Sequence, residues 1–322
     1  MQMLLVLMTE FGIQVEPQFG FTLDEVEQIA EIGLANGFST LWFSDHFMLD
    51  ADAVDKVLLD PWLLMTALVM ANKEIRVGSL VFCNSYRSPP LHAKMAATLD
   101  NLSNGRLEFG IGAGWKKIEY DAYGYPFPDN LTRIAQLGEA IQIIKGVWTH
   151  EKFTFEGEHY HVKDIVSFPK PVQKPHPKVW VGTMRGKEKM LELIAKCGDG
   201  INVAWTFSPS QCEEIFSRLG RLYTANGRDS AGMGKSVGLW TRCFVSEEEM
   251  NFTITENAAK RGVSEEKYRE RISNALWGTP TMMVERLMQY LKLGVSHIIL
   301  MLPHGEESQQ IKLIGQKVLS KL

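Results

Sequence analysis

The residues of this chain best suited to chemistry stand together at Ser44-Asp45-His46, directly behind the apolar run Leu41-Trp42-Phe43. An imidazole exchanges a proton near neutral pH, and an adjacent carboxylate can orient it or bind a ligand. Two glycine-rich stretches, Gly110-Ile-Gly-Ala-Gly114 and Val181-Gly-Thr-Met-Arg-Gly186, could hold what the histidine acts on. Without a β-carbon, their backbone N–H groups can approach a phosphate or a flat ring closely. Thr183 adds a hydroxyl to the second stretch and Arg185 a charge. Glu10 follows the first apolar run of the chain and is a further carboxylate for the same site. Each feature also has a plainer role: Asp45 as a cap, His46 as a structural histidine, the glycines as tight turns and Glu10 as a solvated loop residue. His297 opens a strand and reads as structural, and His159, His161, His176 and His304 show no ligand spacing. The chain has no nucleophile elbow, Walker loop or dinucleotide fingerprint.

Elements that alternate between strand and helix must position these residues. Leu4 to Met8 reads as a first strand. Thr22 and Glu25 form a capping box ahead of a helical apolar stripe, and Gly37 closes that helix before a strand at Thr40 to Phe43. Asp60-Pro61 opens a second helix and Ile75 to Phe82 forms a third strand. Pro89-Pro90 starts the next helix, and Arg106 to Ile111 is strand four. After a long helix from about Leu131 to Trp148, Phe153 to Tyr160 alternates as a hairpin and leads into a proline-studded connection ending at Pro177. The alternation resumes with Val179 to Val181, a helix from about Lys187 to Lys196, and a strand at Gly200 to Ala204. Ser208-Pro209 caps another helix, Val237 to Val245 is a strand, and Ser246 with Glu249 is a second capping box. A helix from Thr279-Pro280 and a strand at His297 to Leu302 complete the series. The pattern predicts an α/β fold, a (β/α)8 TIM barrel forming one domain over 1–322, with the hairpin and Pro-rich insertion between strands 4 and 5. A doubly wound sheet is the second choice. In a barrel, chemistry is placed at the carboxyl ends of the strands, where Ser44-Asp45-His46 falls.

Composition narrows the functional class. Lys and Arg total 34 against 38 Asp and Glu, a net charge of −4, so no basic field is available for nucleic acid or a membrane surface. Four scattered cysteines, Cys83, Cys197, Cys212 and Cys243, make no C-x-x-C pair; no metal site or disulfide framework is expected, and a reducing cytoplasm suits them. Met1 to Met8 lacks a basic flank and reads as a strand instead of a signal peptide.

Several stretches carry a family likeness: Ser44-Asp-His-Phe47; Val81 to Arg87 with the following Ser-Pro; Thr98-Leu-Asp-Asn-Leu-Ser-Asn-Gly-Arg106; Gly110 to Trp115 with Glu119 and Tyr123-Gly-Tyr-Pro-Phe127; and Gly294-Val-Ser-His-Ile298. Together they resemble the bacterial luciferase-like family of flavin and deazaflavin oxidoreductases. Within it they resemble the coenzyme F420-dependent branch that includes F420-dependent glucose-6-phosphate dehydrogenase and methylenetetrahydromethanopterin reductase. The resemblance implies hydride transfer between the C5 of coenzyme F420 and a small organic substrate, a pterin-type one-carbon carrier among the candidates. It makes His46 the proton-handling residue and Asp45 a catalytic and ring-binding partner; Glu10, by its place at the end of the first strand, is a third catalytic candidate. It places a non-prolyl cis peptide at Leu80-Val81, a bulge backing the ring, with Cys83 against the cofactor. Ala113, Gly114, Gly182, Thr183 and Gly186 would line the cofactor tail. Relatives are often dimers, so a homodimer is expected. Trp115 and Asp50 stand where the sugar-phosphate dehydrogenase has other residues, so its substrate is not implied. The alternatives are an FMN-dependent luciferase-like monooxygenase and a barrel that binds flavin or pterin without turnover.

Overall fold

The computed structural model describes residues 9–205 and 207–322. The strand expected at Leu4 to Met8 lies outside the described residues. The first described strand is β1 (Glu10–Val15), where Phe11, Ile13 and Val15 are buried toward the helices. Helix α1 (Leu23–Ala35) follows, opened by the Thr22/Glu25 capping box, and then β2 (Thr40–Phe43). Asp60 caps α2 (Pro61–Ala71) by accepting from the Trp62 and Leu63 amides. The expected third strand is two pieces, β3 (Arg76–Ser79) and β4 (Phe82–Cys83), separated by a cis peptide at Leu80-Val81. Next come α3 (Pro89–Leu102), β5 (Leu107–Gly112), the short α4 (Lys117–Tyr123) and the long α5 (Asn130–Thr149).

The insertion is an antiparallel pair, β6 (Lys152–Glu156) and β7 (His161–Val166). Glu139 on α5 ties it down by accepting from the amides of Glu158, His159 and Tyr160. The chain then re-enters the alternation with β8 (Val179–Thr183), α6 (Glu188–Cys197), β9 (Gly200–Trp205), α7 (Pro209–Ala225) and β10 (Gly234–Cys243). A second excursion follows that the sequence reading did not separate. Helices α8 (Glu247–Lys260) and α9 (Glu265–Ile272) lead to β11 (Leu276–Gly278), which extends the outer end of β10. The Ser246 hydroxyl accepts from the Glu249 amide, but the Glu249 carboxylate accepts from Val245 and not from Ser246, so the expected box is shifted by one residue. Helix α10 (Pro280–Lys292), β12 (His297–Met301) and α11 (Glu307–Lys317) close the chain.

The strands run in parallel in the order β12-β1-β2-β3-β5-β8-β9-β10, and β10 pairs back with β12. The sheet is therefore a closed eight-stranded (β/α)8 barrel and not a doubly wound sheet. One large apolar core fills the space between barrel and helices, while Trp42, Leu80, Trp180 and Ile299 pack as a separate cluster. Closure brings the carboxyl ends of all eight strands to a single rim, and the side chains that follow them share one mouth.

Candidate active site

Strand β2 ends at Phe43 because the next three side chains find partners on neighbouring elements. The Ser44 hydroxyl donates to Gln18 Oε1 at 2.8 Å. Asp45 is buried: Arg87 Nη1 donates to both of its oxygens, at 3.1 and 2.8 Å, and the Cys83 amide donates to Oδ2 at 2.9 Å. Arg87 reaches on to Asp60 at 2.9 Å, so one guanidinium ties the end of β2 to the cap of α2. Burial pushes the Asp45 carboxyl up, while Arg87 and the Cys83 amide pull it back. The Asp45 side chain is enclosed and its oxygens are committed to Arg87 and the Cys83 amide, which makes it a brace for the end of β2.

His46 Nδ1 lies 2.8 Å from Oε2 of Glu119, a fully buried carboxylate on the first turn of α4. The other Glu119 oxygen accepts from the amides of Phe47 and Met48 at 2.8 and 3.0 Å, and Tyr86 Oη donates to Oε2 at 2.8 Å. Burial by itself would raise this carboxyl, but the bond and charge of His46, the Tyr86 hydroxyl and the Met48 amide hold it down at about 2. Glu119 is therefore ionised at neutral pH and accepts a proton-bearing Nδ1, which leaves Nε2 on the far side of the ring for the mouth. The Trp115 ring stands edge-on to this imidazole, with centroids 5.8 Å apart.

The peptide bulge at Leu80-Val81, cis as the resemblance implied, places Val81 against the glycines. A β-carbon on Gly112 would lie 2.7 Å from Val81 Cγ2; on Gly182, 2.9 Å from Cγ1; on Gly110, 3.1 Å from Cγ1 and in collision with the Ser79 carbonyl oxygen. These glycines make room for the bulge. Gly114, at φ +77°, has Tyr120 Oη and Cys83 Sγ where a side chain would be. Thr183 is buried, and its hydroxyl already accepts from the amides of Arg185 and Gly186, the N–H groups expected to cradle an anion. Gly186, at φ +54°, packs against Ile215. Cys83 and Ala113 are buried as well. Burial pushes the Cys83 thiol up to about 12, so it stays protonated and pairs with Tyr120 Oη at 3.1 Å. The structure thus gathers Cys83, Leu80, Val81, Ala113, Gly114, Gly182, Thr183 and His46 at the carboxyl rim.

Glu10 is not among them. It begins β1, in register with His297, and lies 3.6 Å from that residue and 3.7 Å from Arg76 at the opposite end of the barrel. The placement corrects its expected role at the mouth. The carboxylate that strand β1 delivers to the rim is Glu16, which Gln14 (2.7 Å) and Gln18 both bond. Burial raises the Glu16 carboxyl, opposed by the Gln14 bond and the charge of His46. Glu119 also went unassigned in the sequence, where it served only as part of the family pattern. Its sole signal was its place in the first turn after a glycine-rich strand end.

A closed parallel barrel with a braced histidine–carboxylate pair and a glycine-backed bulge at its carboxyl rim defines an enzyme-like (β/α)8 mouth. Residues 1–297 match the family model of luciferase-like monooxygenases, and the chain belongs to that family. It is 24% identical to the FMNH(2)-dependent dimethylsulfone monooxygenase of Pseudomonas putida, over 95% of this chain and 90% of that one. It is also 24% identical to the F420-dependent glucose-6-phosphate dehydrogenase of Kineococcus radiotolerans, over 85% of each. A solved F420-dependent secondary alcohol dehydrogenase, in complex with an F420-acetone adduct, superposes with a TM-score of 0.80 at 17% identity, covering 96% of this chain and 98% of that one.

Proposed function

We propose that this oxidoreductase uses coenzyme F420 to move a hydride to or from a small organic substrate, with His46 as the proton donor and acceptor. The observation that carries the reading is the 2.8 Å bond between His46 Nδ1 and the buried, ionised Glu119. It fixes the tautomer, turns Nε2 toward the mouth and stabilises the ring when Nε2 takes a proton. When bound, the deazaflavin supplies or accepts the hydride at C5. The chain's own residues do the rest. Val81, sunk into its three glycines, offers an apolar floor for a flat ring system. Asn84 Oδ1 and Gln14 Oε1 are buried without a hydrogen-bond partner among the described residues, two acceptors suited to ring N–H groups. Exposed Arg185 is the cation on the β8 side of the rim for a phosphate tail. Asp45, through Arg87, keeps the end of β2 in place, and Glu119 keeps the imidazole in place.

In the reducing direction, a hydride added to a substrate carbon leaves negative charge on the attached oxygen or nitrogen, and His46 Nε2 donates the proton that neutralises it. In the oxidising direction the same nitrogen accepts that proton. The deciding experiment is titration of the protein with coenzyme F420 and with FMN, followed by absorbance. Binding of F420 with little affinity for FMN is expected; tight FMN binding and indifference to F420 would sink the reading. The likeness to the dimethylsulfone monooxygenase over 95% of the chain favours an FMN-dependent monooxygenase as the second reading. Cofactor binding without turnover would identify a binding barrel. We also propose a homodimer, since α2 is apolar all round yet leaves Leu63 and Met70 in solvent.

A further inference from the structure

The mouth has one wall whose chemistry is unlike a sugar or phosphate site. Trp115, Ile118 and Tyr123 are 62%, 37% and 54% exposed, although each is large and apolar. Single exposed apolar residues are ordinary, but contiguous ones are not. Trp115 stands beside His46, and Tyr123 stands beside Phe47, the next residue along, so these two rings share one surface. The surface runs from the Trp115 ring beside the imidazole to Phe47, whose ring lies 4.5 Å from Tyr123 and 4.4 Å from Tyr86. The cations of the same wall are all engaged. Arg87 serves Asp45 and Asp60, Lys116 donates to the Met48 carbonyl and Glu119, and Lys117 pairs with Asp121 at 2.6 Å. Arg87 and Lys116 are held on buried carboxylates, so neither is free to recognise an anionic substrate here.

We infer that Trp115 forms the substrate-recognition wall, and that the substrate is an uncharged molecule carrying an apolar or aromatic group next to the reacting carbon. Trp115 offers its ring to that group while the reacting atom faces His46 Nε2. The inference rests on the reading of this mouth as a hydride-transfer site, but it concerns substrate contact and not the identity of the cofactor. Stacking against an indole and exclusion of water from its face favour flat and branched apolar groups over hydroxyl-rich ones.

The test is calorimetric binding of acetone, 2-butanone, 2-pentanone, acetophenone and glucose 6-phosphate to the bare protein and to protein loaded with F420 or with FMN. Wild type, Trp115→Phe and Trp115→Ala are compared. Because Trp115 is exposed, its substitution leaves the core intact, and an unchanged thermal midpoint verifies this. Each added methylene should tighten binding about fourfold, and acetophenone should bind at least ~10-fold more tightly than acetone. Trp115→Phe should keep that gradient, and Trp115→Ala should abolish it. A flat series in wild type, a slope that survives Trp115→Ala, or tighter binding of glucose 6-phosphate than of acetophenone would each overturn the inference. If F420 fails to bind, the ketone gradient on the FMN-loaded or bare protein still decides the matter, so the two failures are told apart.

Discussion

At the scale of residues, the proposal depends on an imidazole held from behind. Replacing His46 by Ala should leave cofactor affinity close to wild type and lower turnover by about 100- to 10,000-fold, as loss of a general acid–base does; steady-state rates beside a cofactor titration measure both. Glu119→Gln should be milder in turnover but should change the pH dependence of stability. The carboxyl is depressed from 4.5 to about 2, so its stabilisation is fully present above pH 4.5 and is lost as pH falls toward 2. The shift corresponds to roughly 3 kcal/mol. Urea midpoints at pH 7 should therefore favour wild type over Glu119→Gln, and the gap should narrow by pH 3. An unchanged gap would mean that Glu119 is not held as the carboxylate. His46 was legible in the sequence, because a buried strand has no structural use for Ser-Asp-His at its end. Glu119 was not, since its partner is 73 residues away and only folding joins them.

At the scale of elements, the bulge between β3 and β4 and the glycines of β5 and β8 form one packing unit. Gly182→Ala should destabilise the protein by about 1–3 kcal/mol through overpacking against Val81. The double variant Val81→Ala/Gly182→Ala should recover part of that loss, because the nearest remaining Val81 atom, Cβ, lies 3.6 Å away. Gly110→Ala should gain nothing from the same partner, since it meets the Ser79 backbone oxygen. Thermal midpoints of wild type, Val81→Ala, Gly182→Ala and the double variant form the cycle that measures this coupling. The glycine runs were conspicuous in the sequence, but their reason was not, because a bulge on another strand does not show in local spacing. The misplacement of Glu10 has a similar origin. Strand β1 alternates Glu10, Gly12 and Gln14 with Phe11, Ile13 and Val15, whereas Leu4 to Met8 is continuously apolar and reads more readily as a strand. Choosing that run moved Glu10 from the start of a strand to its end.

At the scale of the molecule, the eightfold alternation was legible because each unit carries its own start signal, such as Thr22 with Glu25, Asp60-Pro61 or Ser208-Pro209. Assembly is expected through α2, whose outer face leaves Leu63 72% and Met70 51% exposed. Light scattering should give twice the chain mass, and a Leu63→Glu/Met70→Glu variant should run as a monomer; a wild-type monomer would refute the dimer. The segment from Phe244 through Trp277 was not legible as a separate body, since its helices α8 and α9 are charged and their apolar positions few. Yet Phe244, Met250, Ile254, Ala258 and Tyr268 pack into a cluster of their own beside the main core. A body with its own small core can open without the barrel opening. Its amides should exchange with deuterium well ahead of those of β1 or β12. It rises from the carboxyl end of β10, on the same side of the barrel as the end of β2 that carries His46. One side of the barrel thus carries two separately packed units, a small core of its own and the pair that braces the imidazole.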